Sequence, residues 1–235
     1  MKIELTKKPK NPILIQGFPG FGLIGTIVTE FLIEHLGAKS IGKIISDEMP
    51  PVIAVHENKL IEPLEVYYDD KTNIIILHAL TGVSGLEWKM AEAIGNLCTE
   101  LNVKEIICVE GVNSEDMQGE TRAFYLSDNK KKMEDTGIGP LKEGIIIGVT
   151  GALLLRVKNI DKSCIFVETH SSLPDSRGAA KVIEILDKYL GLNVDYNPLL
   201  KKAEIFERKV KQILEKGKDV LSKRQERDET LNYLG

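Results

Sequence analysis

A short apolar run, a glycine-rich turn and an amphipathic stretch follow one another near the start of this chain, and together they constrain its fold most. Residues 13–15 are too few for a helix and are rich in β-branched side chains, which predicts a buried strand. Glycines and a proline then force a tight turn over residues 17–25. Apolar residues recur at helical spacing over residues 23–36, and Gly37 ends the helix. The pattern predicts the first half of a βαβ unit.

The turn also fits a dinucleotide-binding spacing, GxGxxG, at Gly20, Gly22 and Gly25. In such sites the glycines let the backbone approach a pyrophosphate at a helix N-terminus, and an acidic residue follows the next strand. Asp47 or Glu48, after the next apolar run at 41–45, stands in that position here. Tight turns between a strand and a helix need glycine for steric reasons as well, so a packing turn is the alternative interpretation.

Apolar runs alternate with amphipathic stretches along the next 165 residues. The runs at 74–77, 105–109 and 164–167 are typical of central strands that are covered on both faces. The stretches at 88–101 and 177–190 have helical periodicity. This alternation predicts an α/β fold, with a mainly parallel or mixed central sheet and helices on both sides.

Several finer expectations follow from local patterns. The segments 52–55 and 61–68 flank a polar triplet and predict a hairpin. Residues 121–126 predict an edge strand, and residues 129–135 a short surface helix. A further helix is expected to begin at about Gly151. The hydroxyl group of Ser84 is well placed to cap the helix that follows it.

Polar side chains follow several of the predicted strands. Ligands of open α/β sheets bind beyond the carboxyl ends of the strands. A candidate ligand crevice therefore combines the glycines of the turn with acidic and imidazole side chains at these ends, and His78 follows a strand in the same way. The predicted crevice residues are Gly20, Gly22, Gly25, Asp47, Glu110 and His170. The alternative is that these groups merely end strands where the chain turns into water.

Composition excludes several classes of function. A net charge of −4, with basic residues dispersed among acidic ones, gives no electrostatic basis for binding nucleic acid or a membrane surface. No apolar run approaches the roughly 20 residues of a membrane-spanning helix. Cys98, Cys108 and Cys164 lie in apolar segments at unrelated spacings and predict buried thiols. We therefore expect a cytoplasmic protein with no metal site, and the abundant Ile, Lys and Glu lean towards a thermophile.

The character of the chain changes at Pro198. Apolar residues at steps of three and four, including Phe206, Val210, Ile213 and Val220, form a heptad seam among charged residues. The predicted organisation is a globular domain over 1–197, a long helix over 198–228 that either lies along the domain or pairs with another chain, and a flexible tail over 229–235. The candidate partner-binding residues of the tail are Leu231, Tyr233, Leu234 and Gly235.

Separate sequence blocks, in the same order, carry a family resemblance over about residues 11–200. They are GFPGFGLIG at 17–25, SDEMPP at 46–51, GVTGALLL at 148–155, ETH at 168–170, PD at 174–175, AAK at 179–181 and GLNVD at 191–195. In these blocks the chain resembles the PAC2 family, and most closely the archaeal homologues of its proteasome assembly chaperones.

The resemblance implies a three-layer αβα sandwich similar to that of nucleoside phosphorylases, without their catalysis and without a cofactor. It also implies a homo-oligomer that binds proteasome α subunits without ATP, and a C-terminal tail that docks between those subunits. Tails of that kind end in a hydrophobic residue, a tyrosine and any residue, whereas Tyr233 is third from the end here. The alternatives are a nucleotide- or nucleoside-binding enzyme that uses the crevice, and a scaffold whose seam only makes oligomers.

Overall fold

The computed structural model describes residues 1–49, 51–56, 58–113, 121–169, 173–198 and 200–201. The strands are β1 (Lys2–Leu5), β2 (Ile13–Gly17), β3 (Lys39–Ile45), β4 (Ala54–His56), β5 (Lys59–Ile61), β6 (Leu64–Asp69), β7 (Ile74–Ala79), β8 (Glu105–Asn113), β9 (Ala123–Ser127), β10 (Gly139–Pro140) and β11 (Asp161–Thr169). The helices are α1 (Ile24–Leu36), α2 (Glu87–Leu101), α3 (Lys130–Glu134), α4 (Gly148–Arg156) and α5 (Ser176–Leu190).

Nine of these strands form one mixed sheet, in the order β1-β3-β6-β7-β2-β8-β11-β9-β10. The four central strands, β7, β2, β8 and β11, are mutually parallel. On one flank β1, β3 and β6 pair antiparallel in turn up to β7, and on the other β9 runs antiparallel to β11. Because the central strands are parallel, their carboxyl ends meet at one edge of the sheet, where the crossover connections leave it.

The two faces of the sheet carry separate cores, and the strands alternate between them. In β7, Ile75 and Leu77 face the core built with α2 and α4, whereas Ile74 and Ile76 face the core built with α1 and α5. Continuous burial of β7 follows from this cover on both sides. The predicted αβα sandwich with a mixed central sheet is therefore confirmed.

Helix ends follow the expected chemistry. Gly37 ends α1 and Gly191 ends α5, both in the left-handed conformation, with φ of 64° and 69°. Asp175 caps α5, where its carboxylate accepts a hydrogen bond of 2.8 Å from the Gly178 amide. The cysteines Cys98, Cys108 and Cys164 are buried, as predicted.

Some local expectations were wrong. Ser84 does not cap α2, because the helix begins at Glu87 with Leu86 at the N-cap position. The predicted edge strand at 121–126 is β9, which lies one strand inside the edge because the two-residue β10 pairs beside it. Helix α4 begins at Gly148 rather than at Gly151.

The predicted hairpin forms between β4 and β5. The expected strand over residues 61–68 is divided, because the chain leaves β5 after Ile61 and begins β6 at Leu64, with Pro63 between them. Strand β1 had no distinct sequence signal. Among the described residues, no helix is both long and apolar enough to cross a membrane. The long helix predicted over 198–228 and the tail over 229–235 lie almost wholly outside the described residues, so this division stays a prediction.

Candidate functional site

A crevice with a volume of about 1280 Å³ opens at the carboxyl ends of the central strands. Its walls come from the turn after β2, the connection after β7, the end of β8 and the loop between β10 and α4. This is the position at which parallel sheets place ligand sites, because the chain must leave the sheet there. We call it the strand-end crevice.

The glycine turn on one wall is packed too tightly for side chains. A Cβ atom on Gly17 would lie 2.3 Å from the carbonyl oxygen of Gly25, and one on Gly111 of β8 would lie 2.0 Å from the carbonyl oxygen of Phe21. Gly22 has a φ of 64° and leaves no room either, since a Cβ atom there would lie 2.8 Å from Thr169 Oγ1. These glycines let the turn and α1 lie directly against β2 and β8.

The predicted crevice residues are only partly brought together. Gly20 and Glu110 line the strand-end crevice. Gly22 and Gly25 are buried behind the turn, in contact with Thr169 and with Gly17 respectively. Asp47 is exposed in the turn after β3 and is not among the described lining residues. His170 lies outside the described residues.

Glu110 is held at the floor of the strand-end crevice by a chain of hydrogen bonds. Thr150 Oγ1, in the first turn of α4, donates to Glu110 Oε1 at 2.5 Å. Gln16 Nε2, on β2, donates to Thr150 Oγ1 at 3.1 Å. Burial raises the pKa of Glu110 above its ordinary value, and the Thr150 bond opposes the rise. A carboxyl group in such surroundings can bind a cation or share a proton.

A second carboxylate of the crevice, Glu168, is already paired. Arg122 donates to it twice, from Nε and Nη2, at 2.8 Å each. This bidentate geometry is the strong form of a guanidinium–carboxylate pair. Glu168 therefore shapes the wall, whereas Glu110 has Thr150 as its hydrogen-bond partner among the described residues.

Sequence reasoning missed Gln16, Thr150 and the loop before α4. Gln16 carried a usable signal, because a polar residue directly continues the apolar run of a buried strand. Thr150 carried none, since it meets Gln16 from 134 positions away in the chain.

His78 lies on the opposite face of the sheet from this network. Its Nδ1 atom is 2.8 Å from Thr29 Oγ1, and its Nε2 atom is 3.1 Å from Glu30 Oε2. Burial lowers the pKa of His78, and the Glu30 carboxylate opposes this shift. His78 does not line the strand-end crevice, because its ring points towards α1.

The sites predicted in the helical extension and the tail are not part of this geometry. Phe206, Val210, Ile213, Val220, Leu231, Tyr233, Leu234 and Gly235 all lie outside the described residues. Within the described part of the chain, no three His, Cys, Asp or Glu side chains group together as metal ligands.

Comparisons with known proteins agree over nearly the whole chain. The sequence profile of the PAC2 family matches residues 14–214. An uncharacterized protein of Methanocaldococcus jannaschii is 29% identical over 220 residues, which cover 91% of this chain and 90% of that protein.

Two solved structures from Pyrococcus furiosus have the same fold. PbaA, described as an archaeal homolog of proteasome-assembly chaperone, is 30% identical with a TM-score of 0.82, and the match covers 97% of this chain and 98% of PbaA. PbaB, described as an archaeal proteasome activator, is 24% identical with a TM-score of 0.76, over 90% of this chain and 98% of PbaB. The similarity to PbaB supports the fold alone. With its profile match spanning most of the sequence and its sheet and helices shared with PbaA, this chain belongs to the PAC2 family.

Proposed function

We propose that this protein is a non-catalytic, ATP-independent assembly chaperone that binds proteasome α subunits. The observation that carries the proposal is the similarity to PbaA, which extends over nearly the full length of both chains at 30% identity. PbaA is described as a homolog of proteasome-assembly chaperone. The same role in this chain requires a surface that recognises another protein.

Exposed apolar side chains support such a role. Val55 and Leu60 are direct cross-strand partners in the β4–β5 hairpin, and both are exposed, as is Ile53 directly before β4. A second group of exposed apolar residues surrounds the strand-end crevice. Contiguous apolar surface of this kind marks protein contacts. We propose that the heptad seam of residues 206–220 and the tail around Tyr233 add to this surface.

Co-purification with archaeal proteasome α subunits tests the proposal. We expect the intact chain to retain α subunits at micromolar concentration, and a chain that ends at Arg227 to retain less. Asn232→Ala serves as the matched control, because it alters the tail without removing an apolar anchor. If the intact chain retains no α subunits at that concentration, the proposed function is wrong.

Light scattering tests the oligomer separately. If the heptad seam joins copies of the chain, removing the residues after Pro198 will yield monomers. A truncated chain that keeps its full oligomeric mass would place the contact between copies elsewhere.

One observation favours a second candidate, a nucleotide- or nucleoside-binding enzyme. Glu110 is a partly buried carboxyl group with a raised pKa in a large crevice at the strand ends. Calorimetry with ATP, NAD and nucleosides decides between the two. Heat of binding that disappears in Glu110→Gln would favour the enzyme. If none of these ligands gives heat of binding or a thermal shift, the enzyme hypothesis is wrong.

A further inference from the structure

The mouth of the strand-end crevice is apolar and unusually exposed. Ile145 and Ile147, in the loop before α4, are 92% and 72% exposed, and Phe21, in the glycine turn, is 48% exposed. All three line the crevice. Large apolar side chains around a cavity mouth would gain little from a small solute held inside, but a protein segment lying across the mouth would bury them.

The interior of the crevice combines aromatic surface with a carboxylate whose described hydrogen-bond donor is neutral. Phe18 and Phe166 line it, and both are largely buried. Glu110 accepts its described hydrogen bond from a neutral hydroxyl group, that of Thr150. Thr150 Oγ1 uses its proton in this bond, and the same oxygen accepts from Gln16 Nε2. A buried carboxylate is stabilised far more by a cationic partner than by one neutral donor.

The charged residues around the cavity favour a ligand with a positive charge. Among the described lining residues the acidic side chains are Glu87, Glu110, Glu143 and Glu168, and the basic one is Lys142. Arg122, beside the cavity, is paired with Glu168. This balance repels phosphate and carboxylate groups and attracts ammonium and guanidinium groups.

Glu110 also lies close to the two places where an anion would bind, the first turn of α4 and the glycine turn. Glu110 Oε1 is bonded to the Thr150 side chain in the first turn of α4, so an anionic ligand that approached this end of the helix would lie close to a carboxylate. Its second oxygen, Oε2, faces the glycine turn, where a Cβ atom on Gly20 would lie 3.9 Å from it. A pyrophosphate on that turn would meet a carboxylate.

We propose that the strand-end crevice is a docking pocket for a lysine or arginine side chain, presented by an apolar peptide segment of the partner protein. The methylene stem of the basic residue lies along the wall that Phe18 and Phe166 contribute, its cationic head meets Glu110, and the flanking apolar residues cover Ile145 and Ile147. For the identity of the partner the inference rests on the proposed function, since the segment would belong to a proteasome α subunit.

The first test uses peptides and the full chain. Four fluorescein-labelled heptapeptides carry lysine, arginine, norleucine or glutamate at the centre of an otherwise identical leucine- and serine-containing sequence, and anisotropy gives their dissociation constants. We expect the lysine and arginine peptides to bind about tenfold more tightly than the norleucine peptide, and the glutamate peptide to bind most weakly.

Substitutions identify the pocket. Glu110→Gln keeps the size of the side chain and an acceptor for Thr150, and should bring the lysine and norleucine peptides to equal affinity. Glu143→Gln, on the same lining, is the matched control and should preserve most of the difference. Ile145→Ser removes exposed apolar surface without adding a charge and should weaken all four peptides, so the test holds even if Glu110→Gln fails to fold. Equal binding of the lysine and norleucine peptides by the wild type, or an unchanged preference in a folded Glu110→Gln variant, would overturn the pocket.

Co-purification of α subunits with the same variants separates the two proposals. Loss of α subunits with Glu110→Gln and Ile145→Ser supports both proposals. If the wild type retains α subunits but shows no peptide preference, the pocket is wrong and the chaperone role stands. If the peptides are discriminated but α subunits are not retained, the pocket stands and the partner is a different protein.

Discussion

A single methyl group at Gly17 should test whether the glycine turn is required for packing. The Cβ atom of Gly17→Ala would lie 2.3 Å from the carbonyl oxygen of Gly25, 2.5 Å from its carbonyl carbon and 2.6 Å from its Cα atom. All three atoms are backbone, so no side chain can rotate to relieve the clash. The N-terminal turn of α1 and the end of β2 would have to separate by roughly 1 Å before an ordinary contact was restored.

The loss in free energy of unfolding can be estimated from known effects of overpacking. Overpacking a close-packed interior typically destabilises a protein by about 1–3 kcal/mol. Gly17→Ala should fall at the upper end, about 3 kcal/mol, because it moves a helix rather than one side chain. For a chain of this length that loss lowers the melting temperature by about 6–12 °C.

Urea titration followed by circular dichroism measures the free energy of unfolding, with all variants at one protein concentration because self-association would otherwise shift the midpoint. Gly139→Ala is the matched control. A Cβ atom there would meet nothing within 4 Å, and its backbone does not require glycine. It should change stability by less than about 0.5 kcal/mol. If Gly17→Ala were as stable as Gly139→Ala, the steric explanation of the turn would be refuted.

Three further outcomes follow from the structure. Burial lowers the pKa of His78, so the unfolded chain binds the proton more readily and the free energy of unfolding should fall as the pH drops below the unfolded pKa of about 6.5. Between pH 7.5 and 5.0, the free energy of unfolding in urea should change less for His78→Asn than for the wild type. An equal change in the two proteins would contradict this role of His78. Tyr189→Phe removes one of the two hydroxyl groups that donate to buried Glu105, at 2.6 Å, and leaves Ser163 as the other donor. The free energy of unfolding in urea should fall by about 1–2 kcal/mol, and no loss would mean that the Ser163 bond alone satisfies the carboxylate. Leu97 of α2 is fully buried, so Leu97→Ala should lower the free energy of unfolding by about 2–5 kcal/mol in thermal and urea experiments. A loss below about 1 kcal/mol would mean that the core on the α2 side of the sheet collapses into the cavity left by the substitution.

The order of the central elements was predictable because each carries its own local pattern. The strand, turn and helix over residues 13–36 could be predicted from β-branched residues, glycines and helical periodicity alone. The helix α5 has an aspartate cap, an apolar stripe and a terminal glycine, all visible in the sequence. Such signals are local, and no other part of the chain has to be known to interpret them.

Features that depend on distant parts of the chain were not predictable in this way. Strand β1 is short, and its place in the sheet depends on β3. Ser84 has the chemistry of a cap, but α2 begins three residues later at Glu87. Glu110 was expected at a strand end, whereas its link to Gln16 through Thr150 depends on how α4 packs on the sheet. Asp47 matched the motif by its spacing, yet it is exposed in the turn after β3. Spacing along the chain does not determine whether a side chain reaches the crevice.

The two outermost strands decide how copies of this chain can associate. Strand β1 places Lys2 and Glu4 along one border of the sheet, with their charged ends 2.6 Å apart. On the other border, β10 is two residues long and ends in Pro140, which has no amide proton to donate. Charge on one side and a short, proline-ended strand on the other both oppose the addition of a foreign strand. Assemblies of this protein should therefore not extend the nine-stranded sheet by continuous backbone hydrogen bonding from one subunit to the next.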